Sequence, residues 1–229
     1  SVEQYIYSTL CLLKEKKGLD LEKATLGIVG VGHVGSRVKR MAEALGMKVL
    51  LNDPPRADQG EEGFVDLETI LRKSDVITFH TPLNREGKYA TYHLVDEDLL
   101  FSLERSPFLI NASRGEVVDT ASLLAALAAG KVKDAVIDTW EYEPNISREL
   151  LEVALLGTPH IAGYSADGKA NATRMSLEAL CQFFGIQVEF SIFPPEGSNE
   201  YDPTRDSEWL KAAPKKFEWF RGNYPIRRE

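Results

Sequence analysis

Residues 27–38 read "GIVGVGHVGSRV", and this stretch decides how the rest of the chain is read. Three glycines are spaced Gly30-x-Gly32-x-x-Gly35, directly after an apolar run and directly before a helically spaced set, Val34, Val38, Met41, Ala42 and Leu45. Alone the spacing is a weak signal, because glycines punctuate many kinds of turn. The strand before it, the helix after it and a second apolar run ending in Asp53 supply the context in which it reads as a dinucleotide fingerprint. Gly30 then makes the tight turn, Gly32 admits a pyrophosphate against the backbone, and Gly35 lets helix and strand pack closely. The amides around His33 and Val34 face the phosphates at a helix N-terminus. Asp53 stands where a carboxylate accepts from the adenosine ribose hydroxyls and repels a 2′-phosphate, so the expected cofactor is NAD. Arg56 nearby pulls the other way.

Outward from this motif, short apolar runs recur to residue 163: "ATLGIVG", "MKVLLND", "SDVITFH", "PFLINAS", "VKDAVIDTW" and "TPHIAG". All six read as buried strands. Helical segments lie between several of them, such as the one holding Leu123, Leu124 and Leu127, with Asp119, Thr120 or Ser122 available as its cap. Alternating buried strands and amphipathic helices predict an α/β fold, a doubly wound parallel sheet of Rossmann type. Val2, Tyr5, Ile6, Leu10 and Leu13 form a helix ahead of it, and a second helix runs from about Gly168 to Phe184. From Ile186 the chain turns irregular and rich in turn formers.

The 229 residues are ample for a full core. Their net charge of −8, from 27 basic and 35 acidic residues, leaves no electrostatic footprint for nucleic acid or an anionic membrane. The alanine-rich run at 123–129 is too short to span a bilayer. Cys11 and Cys181 match no redox or metal spacing and read as reduced thiols in the cytoplasm. No His, Cys or carboxylate cluster has metal-ligand spacing, so no catalytic metal is expected.

Three segments place polar groups just past predicted strands, where a doubly wound sheet binds its ligands: "NASRGEVVD", "IDTWEYEP" and "TPHIAGYS". Oxidising a 2-hydroxy acid needs a group to hold the carboxylate, a base for the hydroxyl proton and a partner to orient that base. Arg114 suits the first role, since its planar fork can make two bonds to a carboxylate. His160 suits the second, because imidazole changes charge near working pH. Glu143 suits the third. Each has a plainer reading: Arg114 paired with Glu116, Glu143 solvated in a loop, His160 hydrogen-bonded in the core. Their joint placement on three strand-end loops beside the glycine fingerprint favours chemistry. His80 in "TFHTPL" reads as structural, and His33 and His93 lack the setting of His160.

On these motifs, in this order over residues 1–184, the sequence resembles the D-isomer-specific 2-hydroxyacid dehydrogenase family. The resemblance implies that Arg114, Glu143 and His160 are the catalytic trio. It also implies NAD contacts at Thr81, Ala112, Ser113, Asp138 and Gly163. "NDPPRA" at 52–57, the tyrosine after "HIAG" and the tail "FEWFRGNYPIRRE" resemble a branch of the family acting on a small phosphorylated 2-hydroxy acid, with Tyr164 on the substrate beside Arg114. By the same resemblance, residues 1–17 are an interdomain helix, 18–165 the NAD domain, 166–185 a helix returning toward a substrate domain, and 186–229 part of a dimerisation region of a homodimer. A substrate-binding segment is expected ahead of residue 1, so these 229 residues by themselves are expected to bind NAD and turn over poorly. Two other readings share the fold: a family member acting on D-3-phosphoglycerate, and an NAD-responsive binding protein without activity.

Overall fold

The computed structural model describes residues 1–197 and 202–228; residues 198–201 and 229, part of the expected dimerisation region, lie outside the described residues. Six parallel strands form one sheet: β1 (Thr25–Val29), β2 (Lys48–Asn52), β3 (Val76–Phe79), β4 (Phe108–Asn111), β5 (Asp134–Ile137) and β6 (Leu156–Gly157). Their spatial order is β2-β1-β3-β4-β5-β6. The order reverses between β1 and β3, which makes the crevice beyond those strand ends the topological switch point of the sheet.

Helices cover both faces. The chain order is α1 (Val2–Lys17), α2 (His33–Ala44), α3 (Pro54–Asp58), α4 (Leu67–Lys73), α5 (Glu97–Phe101), α6 (Thr120–Ala128), α7 (Arg148–Val153), α8 (Ala166–Phe184), α9 (Pro203–Ala212) and α10 (Phe217–Gly222). The period-two alternation of the strands divides their side chains between two cores. Phe108 and Ile110 of β4 point to one core with α1 and α2, and Leu109 points to the other with α4, α6 and α7. Asp119 is the cap that α6 uses, accepting from the Ser122 amide at 2.9 Å.

Five of the six expected strands form where the apolar runs place them. The sixth does not: β6 ends at Gly157, and residues 158–163 are a loop. The reason is local. His160 has φ 55, incompatible with an extended strand, and the amides of Ile161 and Ala162 bond to the Asp138 carboxylate instead of a neighbouring strand.

Both ends of the chain pack on this same body. In α1, Tyr5, Ile6, Leu10 and Leu13 are fully buried, and Lys17 pairs with Asp134 at 2.7 Å. At the other end α9 lies along β6, where Ser207 Oγ accepts from the Gly157 amide at 3.0 Å, and Leu210 and Phe217 enter the second core. The described part of the tail thus covers the β6 edge of its own sheet. By contrast α8 buries only Ala166 and leaves Met175, Leu180, Phe183 and Phe184 exposed.

Because α1 is part of the core and not merely attached to it, Leu10→Ala is expected to cost about 2–5 kcal/mol of global stability. Urea denaturation followed by circular dichroism checks this. A separate early transition with unchanged main midpoint would show instead that α1 is an independent appendage.

Candidate active site

The glycine fingerprint is explained by sterics. A Cβ on Gly30 would lie 2.7 Å from the His80 carbonyl oxygen, and Gly30 has φ +88. One on Gly35 would lie 2.1 Å from the Gly30 oxygen, so the helix can approach the strand only with glycine there. A Cβ on Gly32 would meet nothing within 4 Å: this glycine faces open space, where the pyrophosphate of a dinucleotide would lie. No side chain caps the N-terminus of α2, which leaves its first amides, around His33 and Val34, available to an anion.

A cavity of about 320 Å³ opens at the switch point, lined by Gly30, Gly32, Asp53, His80 and Thr81 among others. Thr81 Oγ1 is buried without a hydrogen-bond partner, a hydroxyl waiting for a ligand atom. The residues present therefore fit a dinucleotide. Asp53 caps α3 and takes the Val31 amide at 2.8 Å, which sets its carboxylate at the end of β2. Arg56 does not offer itself to a 2′-phosphate. It pairs with Glu61, donates to the Val31 carbonyl at 2.6 Å and lies over the Phe64 ring. The segment after β3 folds over the cavity, with Tyr89 donating to Asp58 at 2.6 Å and Thr91 to the Pro82 carbonyl at 2.6 Å. His80, at the base of this segment, is held by burial at a pKa of about 4, and its Nε2 meets Thr78 Oγ1 at 3.1 Å.

A second cavity, also about 320 Å³, brings together Arg114, Glu143 and His160, from the loops after β4, β5 and β6. His160 Nδ1 lies 2.8 Å from Glu143 Oε2, while Glu143 Oε1 accepts from the Trp140 amide at 2.9 Å. A carboxylate on Nδ1 makes that nitrogen the donor, so Nε2 is the atom left to exchange a proton. Asn111 pins the neighbouring loop: its Nδ2 donates to the Arg114 carbonyl at 3.0 Å, and its Oδ1 accepts from the Ser113 amide and hydroxyl. Gly115 lets the two loops touch, since a Cβ there would fall 1.9 Å from the Trp140 backbone.

Other expected site residues lie at the ends of β4 and β5 and in the loop after β6. Asp138, expected to contact NAD, is 1% exposed. Its carboxylate accepts from Thr158 Oγ1 at 2.7 Å, Ile161 N at 2.8 Å and Ala162 N at 2.9 Å, so it holds the loop that carries His160. Burial raises its pKa above the ordinary carboxylate range, against the pull of those three donors. Ala112 and Ser113 are buried at the end of β4, and Gly163 is exposed on the loop after His160. Tyr164 is outside the cavity of the trio. It lines a neighbouring one of about 240 Å³, with the Lys169 ammonium 3.5 Å from its ring centroid and Tyr224 edge-on at 5.9 Å.

The structure adds residues that spacing did not suggest. Arg221 of the tail stands 3.8 Å from Glu143 Oε2, and Arg85 lines the cavity of Arg114, Glu143 and His160. His93, Asp119 and Glu141, from three separate segments, converge into a group with the proximity of metal ligands, which sequence spacing did not show. Its members already have partners: Asp119 caps α6, and Glu141 accepts from His93 at 2.6 Å and from the Thr120 amide at 2.9 Å.

The model of the D-isomer specific 2-hydroxyacid dehydrogenase NAD binding domain matches residues 9–162. An erythronate-4-phosphate dehydrogenase of Bacteroides fragilis is 54% identical over 244 residues, covering 100% of this chain and 70% of that protein. One from Proteus mirabilis is 44% identical over 255 residues, covering 100% and 68%. Among solved structures, D-lactate dehydrogenase from Aquifex aeolicus with NAD and lactic acid superposes with TM-score 0.66 at 26% identity, over 80% of this chain and 66% of that one. The NAD-complexed D-isomer specific 2-hydroxyacid dehydrogenase of Lactobacillus delbrueckii ssp. bulgaricus gives 0.61 at 29%, over 72% and 55%. This chain therefore spans less than two thirds of either solved structure's length.

His80 makes stability depend on pH. Its folded pKa of about 4 lies below the unfolded value of 6.5, so as pH falls the unfolded chain takes the proton first. The contribution is complete above about pH 6.5 and is lost as pH falls toward 4. His80 is half-buried at the cavity wall, so the expected loss by pH 5 is about 1–2 kcal/mol. Urea midpoints at pH 7 and pH 5 should differ less in His80→Gln than in the wild type; equal differences would show that His80 does not carry the effect.

Proposed function

The chain belongs to the D-isomer specific 2-hydroxyacid dehydrogenase family, and from that premise we propose that it catalyses NAD-dependent oxidation of 4-phospho-D-erythronate to 2-oxo-3-hydroxy-4-phosphobutanoate, in pyridoxal 5′-phosphate biosynthesis. The observation that carries the chemistry is the 2.8 Å contact between His160 and Glu143 in a cavity shared with Arg114. NAD, when bound, supplies the hydride acceptor. Gly30, Gly32, His33, Val34, Gly35, Asp53 and Thr81 would hold it.

In the oxidative direction Arg114 holds the substrate carboxylate and so places C2 and its hydroxyl before His160. The hydroxyl proton passes to His160 Nε2 as the hydride leaves C2, and the Glu143 carboxylate balances the imidazolium that results. In reduction the same Nε2 returns the proton. Tyr164 belongs to the substrate side of this reading, reached from its neighbouring cavity.

The reading extends to a homodimer in the cytoplasm. The exposed apolar side chains of α8 and the free state of Cys11 and Cys181 support it. Among the described residues no helix is long and apolar enough to cross a membrane. The residue ranges expected for an interdomain helix, 1–17, and for a helix toward a substrate domain, 166–185, belong to the same reading.

The test is NADH absorbance in the intact enzyme, with 4-phospho-D-erythronate and 3-phospho-D-glycerate compared. Turnover of the former is expected to dominate, and His160→Ala is expected to lower kcat about 10²–10⁴-fold while NAD still binds by calorimetry. Preference for 3-phosphoglycerate would overturn the substrate, and full activity in His160→Ala would overturn the proton carrier.

A further inference from the structure

Residues 224–228 run back beneath the loop that carries His160. Arg227 is 3% exposed, and its Nη2 donates to the carbonyls of Ile161 at 3.2 Å and Ala162 at 3.1 Å. The amides of those same two residues bond to Asp138 at 2.8 and 2.9 Å. The two residues after His160 are thus gripped through both their backbone polar groups, by an anion on the N–H side and a cation on the C=O side. The tail is itself fastened. The Arg227 carbonyl accepts from the Ala166 amide at 2.8 Å, and Arg228 makes two bonds to Asp167, at 2.9 and 3.0 Å.

Burying a guanidinium is costly in desolvation, and two carbonyls need only neutral donors. A planar charged fork gives stronger bonds and a fixed direction. Direction is what this loop needs. His160 is held at φ 55, a region that a histidine leaves unless its surroundings insist, and its ring must meet Glu143 while presenting Nε2 to the cavity.

We infer that Arg227 is a positioning residue of the reaction: by fixing the 161–162 peptides against Asp138 it keeps the His160 imidazole at its working angle to Glu143. It touches neither reacting atom. The tail, far from the site in sequence, is by this inference part of the catalytic support. The kinetic part rests on the dehydrogenase reading above; the structural part does not.

The experiment compares Arg227→Met, Arg227→Lys and Arg228→Met in the intact enzyme, by kinetics and by hydrogen exchange. Arg227→Met is expected to lower kcat about 10–100-fold, the cost of a slightly misplaced proton carrier, with NAD affinity by calorimetry unchanged. Amides of 158–164 should exchange faster while those of β1 and α2 keep their protection. Arg227→Lys should recover part of both, since an ammonium can serve one carbonyl well. Arg228→Met, which loosens the tail at α8 without touching the loop, should keep most of its turnover. Wild-type kcat and wild-type protection of 158–164 in Arg227→Met would overturn the inference. So would a loss of kcat accompanied by faster exchange throughout the domain, which marks a general structural role. If Arg227→Met does not fold, Arg227→Lys carries the same two readouts. If the wild type does not oxidise 4-phospho-D-erythronate, the substrate reading fails, while the exchange arm still decides whether Arg227 holds the loop.

Discussion

The carboxylate of Asp138, buried at the end of β5, organises the corner of the fold that holds His160. It accepts three hydrogen bonds, two of them from consecutive amides of the loop after β6. Each would be an unpaired donor in a buried place without it, at about 1–3 kcal/mol apiece. The same cluster reaches into α1, because Tyr5 Oη and Thr158 Oγ1 lie 2.8 Å apart and Thr158 in turn donates to Asp138. Trp140 adds a bond from its indole N–H to the Thr158 carbonyl at 2.8 Å. Helix, strand and the loop that carries His160 are thereby tied through one anion. Past Gly157 the Thr158 amide still donates to the Ile137 carbonyl of β5, Pro159 has no N–H, and the amides of Ile161 and Ala162 are claimed by this anion and not by a neighbouring strand.

On the cofactor side the controlling constraint is steric. Gly30 and Gly35 exist to let backbone approach backbone, while Gly32 exists to leave room. These are different jobs from one motif, and only the third leaves space for a ligand. Arg56 shows how a neighbour can decide specificity by being occupied. With Glu61 on its guanidinium, its charge is paired within the protein, and in the proposed reading Asp53 is left to set the preference between NAD and its 2′-phosphate form.

Most of this frame was legible in the sequence because it depends on local patterns. Apolar runs located five strands, and glycine spacing identified the nucleotide turn. Arg114, Glu143 and His160 were legible because a parallel sheet sends successive strand ends to one edge, so residues on three such loops must be neighbours. What was not legible depends on contacts between distant segments. Arg221 reaches Glu143, and Arg227 reaches the loop of His160, only after the tail folds back along β6. The structural role of Asp138 was not legible for a related reason. Its position after a strand matches a cofactor contact, and only burial shows that its oxygens face inward.

Backbone strain follows the same geography. The three non-glycine residues with positive φ among the described residues are His93, Tyr142 and His160. Tyr142 and His160 line the cavity shared with Arg114 and Glu143, and His93 bonds to Glu141, which lines it too. Such conformations cost on the order of 1–3 kcal/mol each and persist only where surrounding bonds outweigh them. At His160 the compensation is visible: its amide donates to the Asp138 carbonyl at 2.9 Å, its ring bonds to Glu143, and the next two residues are fixed from both edges. A loop so held cannot relax away from the cavity when substrate is absent. In the role proposed for it, the imidazole is therefore oriented before the substrate arrives, and ordering it is charged to folding and not to binding or chemistry.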